Sequence, residues 1–200
     1  MGTAGICTLV AVDAGPYIQT VSGRRFNPLD PDPAEVDIGD IARALSNQCR
    51  FGGNCRMFYS VANHSCLVSD LVAERGGDVE AQLWALLHDA SEAYLVDLPH
   101  PLKHRSELGR LYAIVEERLQ TAICERFRLR PEPPALLKPV DRALLATERR
   151  AVATEAWEWP ELDGFEPLDL EIEPWLPERA HDEFLDRFER LDAARTPRSP

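Results

Sequence analysis

His88 and Asp89 stand side by side at the end of an apolar run, Leu83-Trp84-Ala85-Leu86-Leu87. Burying both polar groups is costly unless something compensates them. A divalent cation does so by taking an imidazole nitrogen and a carboxylate oxygen from neighbouring positions; a hydrogen-bonded or capping pair is the other solution. Mixed nitrogen and oxygen ligation suits manganese, iron, cobalt, nickel or zinc better than magnesium or calcium. Two further residues fit the first solution. His64 has Val61 three residues before it and Val68 four after it, which turns its ring inward on a helix. Asp141 lies between Val140 and a run of Ala and Leu. Glu92 follows His88 by four and Asp89 by three, a spacing that puts all three on one side of a continuous helix.

The elements that must position these residues read as helices. Residues 16–36 are rich in Pro, Asp and Gly and predict loop, with a short hairpin around Ser22-Gly23. Ile38, Ile41, Ala42 and Leu45 mark a one-faced helix over Ile38–Cys49, with Asp37 as its cap. A second helix opens near Ser60 and stops at Gly76-Gly77, and a third follows Asp78. Pro99 and Pro101 predict a turn or extended loop that also holds His100 and His104. A long helix from Ser106 to about Phe127 carries Leu108, Leu111, Tyr112, Val115, Leu119, Ala122 and Ile123 in register. Another spans roughly Pro139 to Trp157, with Pro139 in its first turn. A short helix is expected over Arg179–Leu191, and Ala194–Pro200 as a frayed tail. Strand signals are scarce, so the fold class is all-α. The division expected is a domain over residues 1–160 and an acidic, Pro-rich extension over 161–200.

Composition narrows the function classes. No stretch reaches the roughly 18 apolar residues of a membrane span. The N-terminal segment, MGTAGICTLVAVDAGPY, lacks a basic region and a long apolar core, and reads as strand or loop rather than signal peptide. Cys7, Cys49, Cys55, Cys66 and Cys124 are odd in number and form no C-x-x-C, which argues against a disulfide framework or structural zinc and fits a reducing cytoplasm. The net charge is −12, and residues 155–200 hold 14 acidic against 5 basic side chains. So acidic a chain excludes general binding to duplex nucleic acid, yet a small phosphate-bearing ligand needs only local positive charge.

The order His64 … His88-Asp89 … Asp141 resembles the H…HD…D signature of the HD-domain metal-dependent phosphohydrolase superfamily. The stretch His88-Asp-Ala-Ser-Glu92-Ala-Tyr-Leu-Val-Asp97-Leu-Pro99-His-Pro101-Leu-Lys103 is similar to that of its bacterial 5'-deoxynucleotidase branch, as is Arg50 ahead of the first ligand. The likeness covers about residues 38–150. Tyr17-Ile18-Gln19-Thr20 … Ser22-Gly23 is similar instead to a small phage-type branch with members that hydrolyse dATP to nucleoside and triphosphate.

The resemblance implies a compact helical HD-domain bundle in which His64, His88, Asp89 and Asp141 hold one divalent transition metal. It implies that Glu92 orients or deprotonates a water, and that Asp97 orients a water or protonates the departing 5' oxygen. Arg50 and Lys103 would neutralise phosphate charge. Tyr17 or Ile18 with Pro101 would form an apolar slot for the base. The substrate expected is a deoxynucleotide, first a dNTP of the dATP type and alternatively a 5'-deoxyribonucleoside monophosphate. His100, His104, Arg105, Arg56 and Arg24-Arg25 are candidates for the added charge a triphosphate needs. A catalytically silent, nucleotide-binding regulatory module is a further alternative. A homo-oligomer in the cytoplasm, the host's if the chain is phage-encoded, is the expected setting.

Overall fold

The computed structural model describes residues 15–154 and 156–195. The expectations for the first 14 residues and for the tail beyond 195 lie outside them. The described chain is mostly helical, as the sequence predicts, with a small N-terminal hairpin. Strands β1 (Ile18–Gln19) and β2 (Arg25–Phe26) pair antiparallel, Ile18 opposite Phe26, around a turn in which Gly23 takes φ +82°. The Ser22 amide and hydroxyl both donate to the Asp40 carboxylate at 2.8 Å, tying the hairpin to the first helix.

That helix, α1 (Ile38–Asn47), is capped by Asp37, which accepts from the amides of Gly39 and Asp40. Ser60 caps α2 (Val61–Glu74), and Asp78 caps α3 (Val79–Leu86). These oxygens satisfy N–H groups that a helix start leaves without partners. Helix α2 is buried on nearly every side because α1, α3, α7 (Leu137–Val152) and α8 (Pro177–Ala194) surround it. His64 therefore sits at the centre of the bundle, fully buried.

Two expectations are corrected. Helix α3 ends at Leu86, and residues 87–91 descend in tight turns with i-to-i+3 bonds, Ala90 N to Leu87 O and Glu92 N to Asp89 O. His88, Asp89 and Glu92 are thus not on one continuous helix; Glu92 opens the four-residue α4 (Glu92–Leu95). His100–Arg105 is a short helix, α5, rather than loop, because Pro99 is its N-cap and Pro101 lies in the first turn, where no N–H is needed. On α6 (Glu107–Arg126), Leu108 and Leu111 are exposed, while Leu119, Ala122 and Ile123 are buried. In the last segment, α8 starts at Pro177 and places Ala180, Phe184, Phe188 and Leu191 in the same core as α2. Among the described residues, no helix is long and apolar enough to cross a membrane.

Candidate metal centre

Helix α2, the turn after α3, and the start of α7 bring His64, His88, Asp89 and Asp141 together. The Nε2 atoms of the two histidines lie 3.3 Å apart. Asp89 Oδ2 is 3.2 Å from His88 Nε2 and 3.8 Å from His64 Nε2. Asp141 Oδ1 is 3.2 Å from His64 Nε2 and 4.0 Å from His88 Nε2. His64, His88 and Asp89 each offer one ligand atom within 4.8 Å of the others, a group that could hold a metal ion.

The other nitrogen of each ring fixes what faces the centre. His88 Nδ1 donates to the Ala85 carbonyl at 2.7 Å, one of the free acceptors at the end of α3. His64 Nδ1 lies 2.6 Å from Glu148 Oε1. With both Nδ1 atoms carrying protons, the neutral rings turn two nitrogen lone pairs toward each other and toward two carboxylates. Four acceptors then converge with no donor among them, an arrangement that a cation satisfies. In the metal-free protein a proton takes that place. Burial and Arg50 push His64 down, but Glu148 and Asp141 outweigh them and raise it to about 9. Burial pushes Asp89 up, while His88, His64 and Arg50 hold it well below the usual carboxylate range.

Glu148 is the functional neighbour that the sequence reading missed. It is fully buried, accepts a 2.6 Å bond from the Tyr59 hydroxyl, and ion-pairs through Oε2 with Arg50 at 3.2 Å. Burial raises its pKa, but Arg50, His64 and Tyr59 leave it below the ordinary glutamate value. An ionised partner on Nδ1 fixes the tautomer and orientation of a ligating histidine. A signal was available: Glu148 follows Asp141 by seven residues, two turns along one face of α7. Arg50 itself is buried between Glu148 and Asp89, with 3.6 Å from Nη1 to Asp89 Oδ2. Its charge is thus shared among site carboxylates, and its Nε has no partner.

Glu92 is buried, its Oε2 makes no hydrogen bond, and burial with the charges of Asp89 and Asp97 pushes its pKa well above the glutamate value. These surroundings favour its protonated form. Gln48, another residue not foreseen, straps this region: Nε2 donates to Glu92 O at 2.9 Å and Oε1 accepts from Asp97 N at 3.2 Å. Asp97 is half-buried and follows Val96, a β-branched residue at φ +69° whose carbonyl accepts from the Tyr112 hydroxyl at 2.6 Å. Such a conformation costs on the order of 1–3 kcal/mol and persists only where neighbours enforce it. Phe51, next to Arg50, is likewise left-handed at φ +58°. Strain thus flanks two of the candidate residues.

His88, Asp89 and Lys103 also line a cleft of about 620 Å³ against α6, with Trp84, Gln120 and Leu129. That volume suits a small-molecule ligand. Lys103 Nζ bonds Glu116 Oε1 at 2.7 Å, and Gly109 lets α5 approach α6, since a Cβ there would collide with the Leu102 and Lys103 carbonyl oxygens. Tyr17, Ile18 and Pro101 do not line this cleft. Ile18 faces a separate groove with Asp40, Arg43 and Tyr94, Tyr17 lies under the Arg25 guanidinium at 4.5 Å, and Pro101 is exposed. Among the described residues these three lie at separate places, the hairpin being tied to α1 by Ser22 and Asp40.

No family model matches the chain. It is 38% identical over 181 residues to the uncharacterized protein YfdR of Escherichia coli strain K12, covering 90% of this chain and 97% of that one. It is also 38% identical over 140 residues to the uncharacterized protein RCAP_rcc00048 of Rhodobacter capsulatus, covering 68% and 69% of the two chains. With that identity across nearly the full length of both sequences, the chain belongs to the family of YfdR.

Proposed function

We propose that this chain is an HD-type, metal-dependent phosphohydrolase that cleaves the 5' phosphoester of deoxynucleotides. The observation that carries the reading is the convergence of His64, His88, Asp89 and Asp141, of which His88 and Asp89 also line a ligand-sized cleft. One divalent transition metal, manganese, cobalt, zinc, iron or nickel, would be held by these four residues and would supply Lewis-acid polarisation of the phosphoryl group and a more acidic water. Lys103 enters the same cleft and meets phosphate charge. Arg50 holds Asp89 and Glu148 in place from beneath. Glu92 holds a proton beside Asp89, available to the departing 5' oxygen, and Asp97 is presented alongside by Gln48 and Val96.

The first reading of the substrate is a dNTP of the dATP type, releasing deoxynucleoside and triphosphate. Its support is a pair of cations, Lys103 and Arg142, that share the surroundings of His104, whose pKa burial, His100 and these two charges lower. A 5'-deoxyribonucleoside monophosphate is the second reading, favoured by the cleft itself. There Glu116 already matches the Lys103 charge, and Glu117 and Glu125 add negative charge that a polyphosphate would meet unfavourably. Incubating the metal-loaded protein with dATP and dAMP separates them. Intact triphosphate beside deoxyadenosine supports the first reading, inorganic phosphate from dAMP alone supports the second, and hydrolysis of neither overturns both.

A further inference from the structure

Cys49 and Cys55 bracket the segment that carries Arg50, and their Sγ atoms are 3.4 Å apart. Both are half-buried, whereas Cys66 and Cys124 are buried. The contact follows from a loop anchored at each end. Cys49 bridges to Ser60 and the Arg50 amide donates to Tyr59 O at 2.8 Å. At the other end the Arg56 amide donates to Val152 O at 2.7 Å. Between them Phe51, Gly52 and Gly53 all take positive φ, so the chain doubles back and returns Cys55 to Cys49. A disulfide spans about 2.05 Å, so the sulfurs need approach by only about 1.4 Å.

We propose that Cys49 and Cys55 are a redox modification site, at which a low-molecular-weight disulfide converts them to an intramolecular disulfide that closes a ring around Arg50. The Cys49 thiolate attacks one sulfur of the small disulfide, forming a mixed disulfide and expelling one small thiol. The Cys55 thiolate then attacks the Cys49 sulfur and expels the second. The two cysteines lose two electrons and two protons, and the small disulfide is reduced to two thiols. Burial, with the neighbouring Cys49 sulfur, pushes the Cys55 thiol up to about 11, so the reactive thiolate is scarce there. The closed ring holds the residue that ion-pairs with Asp89 and Glu148.

The folded, full-length chain is treated with oxidised glutathione, quenched with N-ethylmaleimide, denatured and digested with trypsin. Trypsin cleaves after Arg43, Arg50 and Arg56, so Cys49 and Cys55 fall in separate peptides, 44–50 and 51–56. The expected result is a joined 44–50/51–56 peptide in the majority of chains, lost on adding dithiothreitol and absent in Cys55→Ser, where Cys49 keeps the glutathione adduct. Any of three results overturns the proposal: both cysteines alkylated after treatment, a stable glutathione adduct on Cys49 of the unmodified sequence, or either cysteine joined to Cys7.

Discussion

His64 and His88 face one another through their Nε2 atoms at 3.3 Å while each Nδ1 is engaged elsewhere, by Glu148 and by the Ala85 carbonyl. Two imidazoles in this relation repel as neutral rings unless a proton or a metal ion lies between them. Much of the behaviour expected of the protein follows from that exchange.

Metal affinity is expected to depend on pH. The pKa of His64 is raised from its unfolded value to about 9 in the metal-free protein. Its proton therefore stabilises the metal-free fold fully below the unfolded pKa of about 6.5, and that contribution is lost as pH rises through about 9. Metal must displace this proton, so affinity falls about tenfold per pH unit below 9. Calorimetric titration in buffers of different ionisation enthalpy should record close to one proton released per metal at pH 7.5. Release of none would contradict the His64 assignment.

Glu148→Gln removes the charge that faces both His64 and Arg50 without changing the side chain's shape. Loss of such a partner to a ligating histidine typically weakens metal binding 10–100-fold. Because Glu148 is fully buried with Arg50, the metal-free protein should also lose roughly 3–5 kcal/mol of stability. Tyr59→Phe, which leaves both charges, should cost about 1 kcal/mol. Denaturant unfolding and metal titration check both, and equal effects from the two substitutions would count against the role given to the charge.

The surroundings of Glu92 favour its protonated form, so Glu92→Gln replaces a neutral group by a neutral isostere. Thermal stability and metal affinity should stay near the parent values, while deoxynucleotide hydrolysis drops at least 100-fold, the scale of a lost proton-transfer group. A variant that keeps its turnover would remove Glu92 from the chemistry.

The C-terminal helix should behave as core. Phe184 is fully buried against the central cluster, and Phe184→Ala is expected to cost about 3–5 kcal/mol, read from denaturant unfolding. A change below 1 kcal/mol would contradict a core role for α8.

The legible parts of this fold were those with local causes. Asp37, Ser60 and Asp78 announce their helices because an N-cap acts within three residues, and each accepts the expected backbone N–H. The four converging residues were readable because each is a costly polar group set in apolar surroundings. Glu148 was not, since a glutamate followed by Arg149 and Arg150 reads as a solvated face until α2 and Tyr59 are seen to cover it. The turn after Leu86 was hidden because His88 itself ends the helix by taking the Ala85 carbonyl. Pro99 and Pro101 suggested loop, although a helix admits proline in its first turn. The covering role of α8 depends on packing over more than 100 residues of sequence separation, as in the Arg187 to Asp70 pair at 2.8 Å, which no local pattern encodes.

The central claim is hydrolysis that depends on a metal at His64, His88, Asp89 and Asp141. Its most direct measurement follows deoxyadenosine release from dATP and dAMP while chelator-treated protein is titrated with manganese or cobalt. Release should be absent at the start, rise in proportion to bound metal, level off at one ion per chain, and be abolished in Asp89→Asn. Release by the metal-free protein, or none at full occupancy, would contradict it.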